Sequence, residues 1–302
     1  MLFPGDTSYV GRHAGEYVRR PSRFLLLLRI LAVLAVIALL AWPFVEPWCL
    51  QVERVIIRSA DFPAAIGQLR VIYVSDIHAG PFFSQARVND LVRQINRLNP
   101  DLVILGGDYA SDSAGAIDFF RNLPQINARC GVYAVVGNHD RTVPESNLTL
   151  LRQAMQQAGV TPLINEVTSV RVGNAAIWLA GLDDVSCGHP DLNALSRRVR
   201  RGDYVIFLCH SPAVIPEAIN ARDMDYQLGW FDLGLFGHTH GGQIGLFGGI
   251  VRDKTVPEAY RAGWTRVNRV DLLTSHGVGT TGLPIRILCR PQLHVITLTT
   301  AN

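Results

Sequence analysis

The sequence predicts an α/β domain behind one N-terminal transmembrane helix. Three observations carry that prediction. Short β-branched, apolar runs alternate with stretches of helical periodicity; the early runs each end in a polar motif; and Phe24 to Val45 is an apolar run of 22 residues.

The apolar run, FLLLLRILAVLAVIALLAWPFV, is interrupted only by Arg29, and as a helix it spans the roughly 30 Å hydrocarbon layer of a bilayer. Arg12, Arg19, Arg20 and Arg23 precede it, and Trp42 and Trp48 follow it. These read as the basic cytoplasmic flank and the far-side aromatic belt of a single-pass span. Residues 1–23 are therefore expected as a cytoplasmic tail, 24–45 as an anchor in the cell (inner) membrane, and the catalytic domain as extracytoplasmic. A cleaved secretory signal fits less well, because Ala41-Trp42-Pro43 and Glu46-Pro47-Trp48 are too bulky for a small-x-small cleavage site. A twin-arginine export signal also fits less well, since Pro21 breaks the spacing between Arg19-Arg20 and Phe24-Leu25.

Residues 46–68 read as a linker, and the alternation begins at Leu69. Leu69 to Val74 is a strand, Gln85 to Leu98 carries Val88, Leu91, Val92, Ile95 and Leu98 at helical spacing, and Leu102 to Leu105 is a second buried-type strand. Together they form a βαβ unit. A helix near Ala116 to Leu123, a strand at Val132 to Val136 and a helix near Leu148 to Ala158 follow. Strand-rich sequence from Val167 through Ala180 leads to further strands at Tyr204 to Cys209, Leu233 to Phe236, Leu272 to Ser275 and His294 to Leu298. No internal repeat is visible, so residues 69–299 read as one catalytic domain.

Composition narrows the function classes. With 48% apolar residues the chain can bury a sizeable core, and with 18% charged residues and a net charge of +3 it matches neither a disordered chain nor a strongly basic nucleic-acid binder. Cys49, Cys130, Cys187, Cys209 and Cys289 show no CxxC and no regular spacing. They are expected as inert thiols rather than a zinc knuckle or a disulfide framework.

The chemistry lies in five clusters at strand ends: Ser75-Asp76-Ile77-His78, Gly106-Gly107-Asp108, Gly137-Asn138-His139-Asp140, Cys209-His210, and Gly237-His238-Thr239-His240-Gly241-Gly242. Any one of them alone reads equally as a cap or a core residue; their recurrence at successive strand ends singles them out. Open α/β sheets bind ligands beyond the carboxyl ends of their strands, so Asp76, His78, Asp108, Asn138, His210, His238 and His240 can converge on one crevice. Carboxylate, amide and imidazole donors suit Mn, Fe or Zn. Seven such donors are too many for one ion, so two divalent metal ions are expected. In a site of that kind, with ions about 3.5 to 4 Å apart, a carboxylate bridges the pair, phosphate oxygens are polarised, and a shared water is activated at neutral pH. Asp108 is the expected bridge.

The set SDIH, GGD, GNHD, CH and GHTHGG, spanning Val71 to Ile244, resembles the calcineurin-like metallophosphoesterase family. The resemblance implies a two-sheet β-sandwich flanked by helices and dinuclear, metal-dependent hydrolysis of phosphoesters. It implies that Asp76, His78 and His240 hold the first metal, that Asn138, His210 and His238 hold the second, and that Asp108 bridges them. It also implies that His139 is not a ligand but contacts the phosphate and protonates the leaving oxygen, with Asp140 orienting its turn. The chain departs from the pattern after Asp108. Many members carry an acidic residue three positions on, where Ser111 stands here, with Asp112 one further. The acid partner of His139 is thus left open.

The Gly-rich segment from Ser275-His276 to Arg286 further resembles a bacterial, membrane-linked, phosphodiesterase branch of the family. Arg286 reads either as an anion clamp or as part of a connection closing the sandwich. The expected function is a membrane-anchored phosphodiesterase whose substrate is a lipid or cell-envelope phosphoester. Two alternatives stand beside it: a pyrophosphatase like the UDP-diacylglucosamine hydrolases of lipid A synthesis, which requires a cytoplasm-facing site, and a non-catalytic binding module of the same fold. Ile244 to Ile250 is a candidate wall for an amphiphilic substrate. His13, His189 and His294 read as structural or exposed.

Overall fold

A strand covered on both faces has no solvent side, so it reads as a continuous apolar run rather than an alternating one. The computed structural model describes residues 23–141, 145–245 and 253–301, and in it the short apolar runs are strands of this kind. The tail, with His13, and most of the proposed apolar wall after Ile244 lie outside the described residues.

Among the described residues, twelve strands form two six-stranded sheets. They are β1 (Gln51–Ser59), β2 (Gln68–Val74), β3 (Leu102–Leu105), β4 (Val132–Ala134), β5 (Val160–Pro162), β6 (Glu166–Val172), β7 (Ala175–Gly181), β8 (Val205–Leu208), β9 (Leu233–Phe236), β10 (Gly263–Val267), β11 (Val270–Thr274) and β12 (Gln292–Thr300). The first sheet runs β1-β12-β2-β3-β4-β5 and the second β10-β11-β9-β8-β7-β6. Strands β2 to β5 are parallel neighbours, as are β7, β8, β9 and β11. Antiparallel pairing joins β12 to β2, β6 to β7 and β10 to β11. The helices are α1 (Arg23–Val45), α2 (Gln85–Arg97), α3 (Ser113–Arg121), α4 (Glu145–Gln157), α5 (Leu192–Ser196) and α6 (Ile215–Asn220).

Side-chain alternation builds three layers of core. Leu69, Val71 and Tyr73 of β2 pack in one buried cluster with Ile206 and Leu208 of β8 and Leu235 of β9, filling the space between the sheets. The intervening residues Ile72 and Val74 lie under α2, α3 and α4, against Leu91, Ile95 and Phe120. On the outer face of the second sheet, Val205 and Phe207 are covered by Leu195 of α5 and Ile215 of α6. The two-sheet sandwich flanked by helices is therefore present. All five cysteines are unpaired thiols.

The stretch 46–68, expected as a linker, instead contributes β1, which pairs in parallel with β12 from Gln51 to Ser59. Only Ile57 of β1 is buried, so this edge strand lacks the apolar run that marks the others. Strand β5, with three residues ending at Pro162, is too short to show a period. The contacts divide the chain into two units, Met1–Ala41 and Trp42–Asn302. Taken by itself, α1 is long and apolar enough to cross a membrane and none of its residues is buried.

Ile296 of β12 is fully buried between the sheets. Ile296→Ala is expected to destabilise the domain by about 2–5 kcal/mol, measured as a lower denaturant midpoint with unchanged slope.

Candidate metal centre

All five clusters leave the carboxyl ends of parallel strands: Asp76 and His78 after β2, Asp108 after β3, Asn138 after β4, His210 after β8, His238 and His240 after β9. The first three strands belong to one sheet and the last two to the other, so the site straddles the top of the sandwich. The backbone there is under strain. Asp76, His78, Asp108, His238 and His240 have φ of 54°, 46°, 56°, 70° and 50°, a region that costs a non-glycine residue about 1–2 kcal/mol. Such strain collects where function over-determines the structure. Here the loops hold one another: Asp76 N donates to Gly107 O at 2.9 Å and His78 N to Asp108 O at 3.0 Å.

The side chains fall into three overlapping triads, of which His78, Asp108 and His139 form one. One atom each from Asp76, His78 and His240 lies within 4.8 Å of the others, and the same holds for Asp108, His210 and His238. Asp108 Oδ2 belongs to both halves, 3.6 Å from His78 Nε2 and 3.1 Å from His210 Nε2. His78 Nε2 and His240 Nε2 face each other at 3.0 Å, and Asn138 Oδ1 lies 3.0 Å from His238 Nδ1. All seven residues expected from the sequence are thus brought together. Two close contacts matter for their backbone: a Cβ on Gly137 would collide with Asp108 Oδ1, and one on Gly237 with Asp76 Oδ2.

The donor set fits divalent cations. Asp76 Oδ2, His210 Nε2 and His240 Nδ1 are buried without a hydrogen-bond partner among the described residues, whereas buried polar atoms are ordinarily paired. Burial, and then the neighbouring His78, hold His240 well below its ordinary pKa; burial likewise lowers His78. Neutral imidazole is the ligand form. Burial also opposes charge on His210, but the attraction of Asp108 outweighs it and raises His210 well above its ordinary value. Burial pushes Asp108 up, and His210 overrides it and draws the carboxyl far down.

Around these seven side chains stands a shell of fixed acceptors. Asp140 Oδ2 accepts from Asp108 N at 2.8 Å and Gly137 N at 2.9 Å, and its Oδ1 from Tyr109 N at 3.0 Å. It clamps the GGD loop to the GNHD turn. Burial, and then the Asp108 charge, push the Asp140 carboxyl up to about 8. His139 N donates to Asp108 Oδ1 at 3.0 Å, and His139 Nδ1 lies 3.0 Å from the carbonyl of Ser111. The missing acidic residue is therefore replaced by a main-chain oxygen at the same position. Asp112 is instead the N-cap of α3, accepting from Gly115 N at 2.8 Å.

Three features were not legible beforehand. Asp253 Oδ2 lies 3.1 Å from His238 Nε2, the carboxylate behind an imidazole that orients metal ligands; it stands 15 residues along the chain, outside any motif. Arg141 pairs with Asp183 at 3.1 Å, both buried, and ties down the end of the His139 turn. Arg286 is not an anion clamp. It is fully buried, and its guanidinium donates to the carbonyls of Gly279, Cys289, His276 and Gly277. His294 is buried against Ser275 Oγ at 3.0 Å, and His189 is exposed. A cavity of about 790 Å³ lined by Arg70, Asp101 and Arg129 contains none of these residues.

Comparison with known proteins places this geometry. The model of the calcineurin-like phosphoesterase family matches residues 69–242. The chain is similar to the uncharacterized metallophosphoesterase YkuE of Bacillus subtilis, 26% identical over 86% of this chain and 89% of that protein. It is 27% identical to phosphodiesterase YaeI of Escherichia coli, over 84% of this chain and 90% of that protein. A Bos taurus transmembrane protein with metallophosphoesterase domain is 32% identical over 60% of this chain and 42% of its own length.

Asp253→Ala is expected to weaken metal retention about 10- to 100-fold, read by competition with a coloured chelator, while the unfolding midpoint stays close to wild type.

Proposed function

Because this chain belongs to the calcineurin-like phosphoesterase family and is a metal-dependent hydrolase of phosphoric esters, we propose that it is a membrane-anchored phosphodiesterase with a dinuclear centre, acting on a lipid or cell-envelope phosphoester. The observation that carries the reading is the place of Asp108, whose one carboxylate oxygen approaches an imidazole of each triad. Similarity to a protein named phosphodiesterase supports the ester class. The apolar α1, and similarity to a protein named as transmembrane, support the anchor.

In this reading Asp76, His78 and His240 would hold one ion, Asn138, His210 and His238 would hold the other, and Asp108 would be shared between them. When bound, Mn, Fe or Zn at these positions supplies Lewis-acid polarisation of the phosphoryl oxygens and a nucleophile drawn from water. The protein's own part is positional and protonic. The Ser111 carbonyl accepts from His139 Nδ1, so the proton that passes to the leaving oxygen is the one on Nε2 of the doubly protonated ring, which leaves a neutral imidazole still protonated at Nδ1. Asp140 holds the turn that carries His139 against the loop that carries Asp108, and the buried Arg141–Asp183 pair secures its other side. The tail 1–23 is assigned to the cytoplasm and the catalytic domain to the far side of the membrane, following the arginine flank.

The test uses the full chain in detergent, stripped of metal and resupplied with Mn, Zn or Mg, on bis-p-nitrophenyl phosphate and p-nitrophenyl phosphate. Metal-dependent release with preference for the diester is expected; full activity after stripping would sink the reading. Asp108→Asn should lose metal and activity together, whereas His139→Ala should keep metal and lose about 10²–10⁴-fold in kcat. A reporter fused after Asn302 should be active outside the cytoplasm; activity inside would favour the nucleotide-lipid pyrophosphatase.

A further inference from the structure

The last carbonyls of a helix have no partner within it and must find one elsewhere. At the end of α1 one of them finds it in the catalytic domain. Pro43 O accepts from Arg286 N at 3.0 Å, and Trp42 and all that follows it belong to the same compact unit as the metal centre. Glu46, just past the helix, is buried to 1% exposure. Its carboxylate accepts from Trp42 Nε1 at 2.8 Å, from Leu288 N at 3.1 Å and from Cys289 N at 2.6 Å. A buried carboxylate this far into the domain needs such donors, and it holds Leu288 in a left-handed conformation, φ 53°, that leucine does not adopt unforced.

Cys289 carries the constraint onward. Its thiol lies 3.1 Å from the carbonyl of His240 and 3.5 Å from that of Gly241, while Arg286 holds the Cys289 carbonyl at 3.0 Å. Gly241 has φ 58°, and a Cβ there would come within 2.8 Å of Cys289 Sγ. His240 is itself in the left-handed region, so its imidazole points into the triad only while this backbone is pinned. Two residues, Glu46 and Cys289, therefore connect the end of the apolar helix to one metal ligand, His240.

We infer that Glu46 is a positioning residue for the metal centre, holding the His240 backbone through the Cys289 thiol, so that residues 42–48 are part of the frame of the site rather than a tether. The inference rests on the dinuclear reading above, because it assigns Glu46 to the ion that His240 holds. It also makes metal retention depend on how the juxtamembrane segment is seated.

The experiment compares full-length wild type, Glu46→Ala, Glu46→Gln, Cys289→Ala and Cys289→Ser in detergent. Metal content per chain is measured after dialysis against a chelator, and the visible spectrum is recorded after loading with Co(II). Glu217→Ala, at an exposed carboxylate, serves as the control. Glu46→Ala and Cys289→Ala should lose one of two ions about tenfold faster than wild type and show an altered Co(II) spectrum. Glu46→Gln should lie between, and Cys289→Ser, which keeps a donor for the His240 carbonyl, should restore retention. Should Glu46→Ala not fold, the alanine and serine variants of Cys289 decide. Folded variants with wild-type retention and spectrum overturn the inference alone. Wild type that binds no metal overturns the dinuclear reading and this inference with it.

Discussion

The shared position of Asp108 is the constraint from which the rest of the site follows. One carboxylate oxygen must approach His78 and His210, which arrive on strands of different sheets. That is possible only at the top of the sandwich, where β2 and β3 of one sheet stand near β8 and β9 of the other. The sandwich core sets this distance: the cluster of Val71, Tyr73, Ile206, Leu208 and Leu235 is fully buried between the sheets, and close-packed interiors transmit changes of a single methylene.

Convergence carries a conformational cost, and its compensation is visible. Five of the seven candidate residues lie at positive φ, and hydrogen bonds between the loops hold them there. Asp140 ties three backbone N–H groups of two loops. The Gly277 to Gly279 turn runs against the first motif, with Val278 N on Ser75 O at 3.1 Å and Gly279 N on Asp76 O at 2.7 Å. Arg286 in turn supports that turn from beneath, on the carbonyls of Gly277 and Gly279. The buried arginine is thus an internal scaffold for the Asp76 loop, which explains why none of its donors is directed to solvent or to an anion.

Four features depend on contacts that local sequence pattern does not report. Sequence periodicity reports burial, so an edge strand with one buried residue, β1, reads as a linker. Charge reports only that an arginine is charged, so Arg286 reads either as an anion clamp or as part of a connection until its contacts with the carbonyls of Gly279, Cys289, His276 and Gly277 and the Cys289 thiol are seen. Asp253 sits in no motif, since its meaning comes solely from lying 3.1 Å from His238 Nε2. The pairing of His139 with a main-chain carbonyl at Ser111 is equally silent in sequence, because every residue has that carbonyl.

The sequence by itself determined the α/β class, the apolar N-terminal helix, and the seven side chains that meet at the strand ends. It could do so because buried parallel strands leave apolar runs and because the polar motifs immediately follow them. Only the tertiary structure decided what stands behind the His139 and His238 imidazoles, and that Glu46 at the helix exit is joined through Cys289 to His240. Those facts concern residues as many as 243 positions apart, and a contact at that range is set by packing, which no local pattern records.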